Sequence, residues 1–184
     1  MKKILKVEPS FTQCGGQKGA STLEMTLIGI PIIFMLISIF EMSRGMWLYD
    51  TAAHAAREGT RFASVHGINC VNSTATGVTN DCGKTIHDVA AKIQDVAVGM
   101  DPSTTTLTFT APSPGGTAIT CTLTACAGIT STWPPANSNS VGTIIQIDIS
   151  TPFNSALAMF WPGAAKVNFS TVNLGATSLD AVQF

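Results

Sequence analysis

The 184-residue sequence is short of charge, with Asp, Glu, Lys and Arg making up 11% of it, against roughly 25% in ordinary soluble domains. The shortage lies at one end. From Pro102 to Phe184 only Asp148, Lys166 and Asp180 are charged, while threonine, serine, asparagine and glycine abound. A surface solvated by hydroxyls and amides does not suit acid–base catalysis. Histidine is also scarce: His54, His66 and His87 are the only three, and no two stand one helical turn apart. No Cys-x-x-Cys pair, nucleophile elbow, phosphate loop or dinucleotide-binding glycine pattern occurs. The sequence therefore predicts no metal, no cofactor and no enzyme. No basic patch points to nucleic acid.

What is present begins with Lys18-Gly19-Ala20-Ser21-Thr22-Leu23-Glu24, followed by sixteen uncharged residues from Met25 to Phe40. A carboxylate this close to a membrane-length stretch is expensive and marks a functional position. Upstream, Lys2, Lys3, Lys6 and Lys18 stand against Glu8 alone. A secretory signal peptide has its cleavage site after the hydrophobic run. Here the expected cut falls before it, between Gly19 and Ala20, which leaves the apolar segment as the new amino terminus. The leader is basic and the remainder acidic, so the positive-inside rule keeps the leader in the cytoplasm and sends the domain outward.

The cysteines divide accordingly. Cys14 lies in the leader, whereas Cys70, Cys82, Cys121 and Cys126 lie beyond the span, an even number in an oxidising compartment. Four cysteines allow three connectivities. Proximity in sequence favours Cys70 with Cys82 and Cys121 with Cys126. In one extended strand Cys121 and Cys126 would stand about 16 Å apart at ~3.3 Å per residue. A bond needs Cα atoms within about 7 Å, so this pairing requires a turn near Thr124-Ala125.

A basic polar leader ending in glycine, with glutamate as the fifth residue after it, is similar to the type IV prepilin signature. Residues 20–65 resemble the TadE-like family of minor pilins from tight-adherence (Tad/Flp) pili. Glu24, Pro31, Glu41 with Arg44, and the Ala-Ala-Arg-Glu-Gly-Thr-Arg run at 55–61 carry the resemblance. The major pilins of that system are far shorter and usually have tyrosine after the glutamate, where this chain has Met25. The resemblance therefore implies a minor pilin, cut by a prepilin peptidase. Its partners would be an inner-membrane assembly platform, the major pilin and other minor pilins. Glu24 would pair with an amino-terminal amine during assembly, and Arg57 and Arg61, one turn apart, would serve in docking. A type II secretion pseudopilin is the nearer alternative. An uncleaved, membrane-anchored periplasmic binding protein or enzyme is the more distant one.

The expected organisation is a leader at 1–19, a transmembrane and extended helix at 20–65, and an extracytoplasmic domain at 66–184. About twenty residues at 1.5 Å each cross a bilayer, taking the span to near Phe40, with a kink expected at Pro31. Trp47 and Tyr49 then suit an interfacial belt. Ala52, Ala53, Ala55, Ala56, Gly59 and Ala63 make a small-residue surface that admits a close neighbour, either the protein's own sheet or a helix of another subunit. Helical spacing from Ile86 to Met100 predicts an amphipathic helix starting near Lys84 and stopped by Gly99 and Asp101-Pro102. Period-two alternation then predicts strands around Leu107 and Phe109, Ile119 to Leu123, Ile145 to Ile149, and residues 166–174. Gly115-Gly116, Pro134-Pro135 and Trp161-Pro162-Gly163 punctuate them. Helix first and short strands after it argue an α+β fold with an antiparallel sheet, as the pilin-like resemblance also implies.

Overall fold

A computed structural model describes residues 19–68, 70, 81–112, 118–155 and 171–183. The expected leader with Cys14, the glycine pair at 115–116, the expected turn at 161–163 and residues 166–170 of the fourth expected strand lie outside them. The fold is α+β, with a long amino-terminal apolar helix, further helices and a four-stranded antiparallel sheet. Two compact units are separable, one ending at Ile39 and one beginning at Phe40.

Helix α1 runs from Ala20 to Val65 without interruption at Pro31. Its polar groups within the apolar stretch are satisfied locally. Thr26 Oγ1 donates to the carbonyl of Leu23 at 2.9 Å, and Ser38 Oγ to that of Phe34 at 2.8 Å. Such back-bonding lowers the cost of placing a hydroxyl in apolar surroundings.

Helix α2 spans Ile86–Val96 and opens on a capping box that hydrophobic spacing alone does not reveal. Thr85 Oγ1 accepts from the Asp88 N–H at 3.3 Å, and the Asp88 carboxylate accepts from the Thr85 N–H at 2.8 Å. Two otherwise unpaired donors are thus satisfied reciprocally. The helix stops earlier than the expected end near Met100, because the chain turns after Ala97. Gly99 then adopts a φ of +85°, a region that glycine enters without a Cβ penalty.

Strands β1 (Thr106–Thr110), β2 (Ile119–Thr122), β3 (Ile144–Phe153) and β4 (Val172–Ala181) form the sheet in the order β2-β1-β3-β4. The expected alternation decides the faces. Leu107 pairs with Ile149 and Phe109 with Ile147 in register, and all four are buried. The opposite face is a ladder of hydroxyls and amides. There Thr108 meets Thr120 at 3.2 Å, and Asp148 accepts from Thr177 Oγ1 at 2.6 Å and from Gln146 Nε2 at 2.9 Å. Two expected strand limits change. Leu123 leaves β2 and begins the one-turn helix α3 (Leu123–Cys126), capped by Thr122 accepting from the Ala125 N–H. The fourth strand runs to Ala181 rather than stopping at residue 174. Its continuation through Gly175, Ala176, Thr177 and Ser178 has too little apolar contrast to show a period of two.

The core of the second unit lies between the sheet's apolar face and the helices. Ala52, Ala55, Ala56, Thr60 and Ala63 of α1 and Ile86, Val89 and Ile93 of α2 are fully buried. Gly59 is the tightest point: a Cβ built there would stand 2.5 Å from Ile93 Cγ1 and 3.5 Å from Ile147 Cδ1. Within this unit the protein's own sheet and α2 cover the small-residue surface. Trp133, 2% exposed, closes the core edge-on to Phe109, with ring centroids 5.2 Å apart. The buried Thr105 and Thr151 hydroxyls satisfy each other at 3.1 Å.

Candidate functional site

The amino-terminal end of α1 is the first place of interest. Gly19 is the turn residue before the helix, and its carbonyl accepts the Leu23 N–H at 3.2 Å. Ala20 is the first helical residue, so Glu24 stands just past the first turn rather than within it. Residues four apart lie on one helical face, and side chains there lean toward the amino terminus. The Glu24 side chain is therefore directed back along the face of Ala20. It is exposed, and around it Leu23 is 67%, Met25 74% and Leu27 71% exposed. Exposed large apolar side chains continue from there to Phe40. This helix is long and apolar enough to cross a membrane, and a surface of that kind asks for lipid or other helices rather than water.

The Glu41 and Arg44 pair belongs to the second unit. Arg44 Nη2 stands 3.9 Å from Glu41 Oε2, and the guanidinium lies 4.7 Å from the centre of the Phe153 ring while donating to the Asn154 carbonyl. Glu41 itself is 7% exposed. The pair thus fastens the base of α1 in this unit to the end of β3, using a planar cation that can stack and donate at once. Nothing in the sequence links Arg44 to a strand end 110 residues away. Trp47, 51% exposed, leans its ring over Gly99, where a Cβ would come within 2.6 Å of Cζ3.

Arg57 and Arg61 are both exposed on α1, and Glu58, Leu179, Asp180 and Gln183 border the shallow depression of about 370 Å³ that they share. Among the described residues neither arginine makes an ion pair; those that form are Glu41 with Arg44 and Asp81 with Lys84. Asp180 is engaged otherwise, accepting from Ser64 Oγ at 2.8 Å and from the Ala181 N–H. Ser64 and the Gln183 N–H, 3.0 Å from the Ser64 carbonyl, tie the end of β4 to α1.

The four cysteines of the domain pair within the chain. Cys70 and Cys82 have Cα atoms 5.6 Å apart, and Cys121 and Cys126 5.4 Å. Helix α3 makes the turn that the second bond requires. The histidines are dispersed: His54 is exposed, His66 is stacked on Phe62 at 4.4 Å, and His87 Nδ1 is 2.7 Å from the Ala127 carbonyl. Among the described residues no three His, Cys, Asp or Glu side chains gather as a metal site.

These features define a class: an α+β protein led by one apolar helix long enough to cross a membrane. Residues 19–61, less than half of the chain, match the family described as TadE-like protein. Compared with curated proteins and with solved structures, the chain has no significant match.

Proposed function

We propose that the protein is a minor pilin, or pseudopilin, of a tight-adherence pilus, structural rather than catalytic. Residues 1–19 are the prepilin leader, residues 20–65 the membrane-spanning and extended helix, and residues 66–184 the extracytoplasmic domain. A prepilin peptidase on the cytoplasmic side cuts between Gly19 and Ala20. The single-pass product then joins the inner-membrane assembly platform, the major pilin and other minor pilins, and takes part in building the fibre. One observation carries this reading. The TadE-like match begins at Gly19, one residue before a helix of exposed apolar residues that carries Glu24 just past its first turn.

The chemistry of that end supports a role for Glu24 in assembly. Cleavage frees the Ala20 amine, so the mature helix begins with a positive charge and unpaired backbone N–H groups. A carboxylate near that end is favoured by the helix dipole. Inside a fibre the carboxylate meets the amine of an adjoining subunit at one axial register. Out of register both charges stay unpaired in apolar surroundings, at about 3–5 kcal/mol. The Glu24→Leu variant is therefore expected to be inserted and cleaved but not assembled, and Glu24→Asp, one methylene short, to assemble in part. Pili are counted in cells whose only copy is the variant, with its processed state checked by mass. Normal piliation by a cleaved Glu24→Leu protein overturns the proposal for this residue.

A further inference from the structure

The outward side of α1 in the second unit carries a charge pattern that the fold does not use. At 3.6 residues per turn, Asp50, His54, Arg57 and Arg61 fall within about 60° of one another around the helix axis, and all four are exposed. The opposite side, with Ala52, Ala55, Ala56 and Ala63, is filled by the protein's own core. Among the described residues Asp50, Arg57 and Arg61 form no ion pair. Glu58 and Asp180 flank the arginines. Neither comes within ion-pair distance of them, and Asp180 is held by Ser64 and the Ala181 N–H. The stripe is therefore polar along its length, negative toward the membrane-spanning end and positive toward Val65.

We propose that this face pairs with the same face of a second copy of the chain, with the two helices parallel and offset along their axes by about 10–16 Å. Seven residues separate Asp50 from Arg57 and eleven separate it from Arg61, which is about 10 and 16 Å at 1.5 Å per residue. Both spacings are close to whole turns, so the stripe keeps the same facing across the offset. Without an offset, parallel copies set Asp50 against Asp50 and arginine against arginine, and like charges suppress the contact. With it, the carboxylate of one copy meets the guanidinium pair of the next. Antiparallel copies would also match Asp50 with Arg61, but chains anchored in one membrane through the same helix are parallel. That step rests on the single-pass reading above. A head-to-tail contact of this kind leaves Asp50 free on one copy and the arginines free on the other, so it adds further copies rather than closing on a dimer.

Charge reversal tests the pairing on the full chain. Two differently tagged copies are co-expressed, the membranes are solubilised in mild detergent, one tag is captured and the other is quantified. All three side chains are exposed, so the substitutions leave the core alone; oxidation of the four domain cysteines checks that each variant is folded. Asp50→Arg alone, and Arg57→Asp with Arg61→Asp, are each expected to lower co-capture about five- to ten-fold. The three reversals combined in both copies restore it to within about two-fold, because the matched charges are merely exchanged. Unchanged co-capture by Asp50→Arg overturns the proposal. So does a combined variant that stays as weak as the separate ones, a result that assigns the face to a different protein. Intact mass of the captured chains is read in parallel. Chains beginning at Ala20 with failed co-capture defeat only this pairing, whereas chains still beginning at Met1 defeat the pilin reading beneath it.

Discussion

Gly59→Ala sets two known effects against each other at one position. In a helix interior alanine is favoured over glycine by about 1 kcal/mol, so the substitution in isolation stabilises α1. In the folded domain the new Cβ stands 2.5 Å from Ile93 Cγ1 and 2.7 Å from Ile93 Cδ1, and Ile93 is fully buried. Overpacking of this kind costs about 1–3 kcal/mol, which leaves a net loss of roughly 0–2 kcal/mol after the helix gain. Ile93→Ala removes both clashing atoms, at its own cost of about 2–5 kcal/mol. In that background Gly59→Ala has room and is expected to stabilise by about 1 kcal/mol. The sign of one substitution thus reverses with the residue at position 93. Urea unfolding of the full chain in detergent, followed by tryptophan fluorescence, gives the four stabilities of the cycle. An equal stabilisation by Gly59→Ala in both backgrounds refutes close packing of α1 on α2.

Two further expectations concern the domain's local ties. The Thr85 N–H, and then the Thr85 hydroxyl, hold the Asp88 carboxyl below its ordinary value. Because the folded value is the lower one, the stabilisation is complete above about pH 4, where the unfolded carboxyl ionises. It is lost as pH falls through the folded value, so Asp88→Asn should flatten the acid limb of a stability–pH curve, and an unchanged limb counts against the capping box. The Cys70–Cys82 bond joins positions 12 apart in sequence, so replacing both cysteines by serine is expected to cost about 2–3 kcal/mol. Non-reducing peptide mapping should recover Cys70 with Cys82 and Cys121 with Cys126, and a Cys70–Cys121 peptide would contradict this pairing.

Elements with strong apolar contrast are legible in the amino-acid pattern itself. Ile145, Ile147 and Ile149 alternate with polar residues and line one face of β3, and Ile86, Val89 and Ile93 mark the buried stripe of α2. The hydroxyl-rich composition after Pro102 reappears as the polar face of the sheet, where Thr108, Thr120, Thr177 and Asp148 bond across strands. Where contrast is low, periodicity has nothing to work on, as in β4, whose Gly175-Ala176-Thr177-Ser178 centre shows no period. The capping box stands in the sequence as Thr85-x-x-Asp88 and is recoverable from its spacing. Long-range ties are not. Arg44 against Phe153, Ser64 against Asp180, and Trp133 against Phe109 join positions that nothing local relates. The small residues of α1 are compatible with two covers, the protein's own sheet or another subunit. Ile93 and Ile147 over Gly59 supply the first.

The proposed maturation in front of the apolar helix is read from the intact mass of the membrane-extracted protein, taken from cells with and without an active prepilin peptidase. The expected chain begins at Ala20 when the peptidase is active and at Met1 when it is not, and this is the result on which the proposed function depends. A chain that still begins at Met1 in the presence of the active peptidase contradicts it.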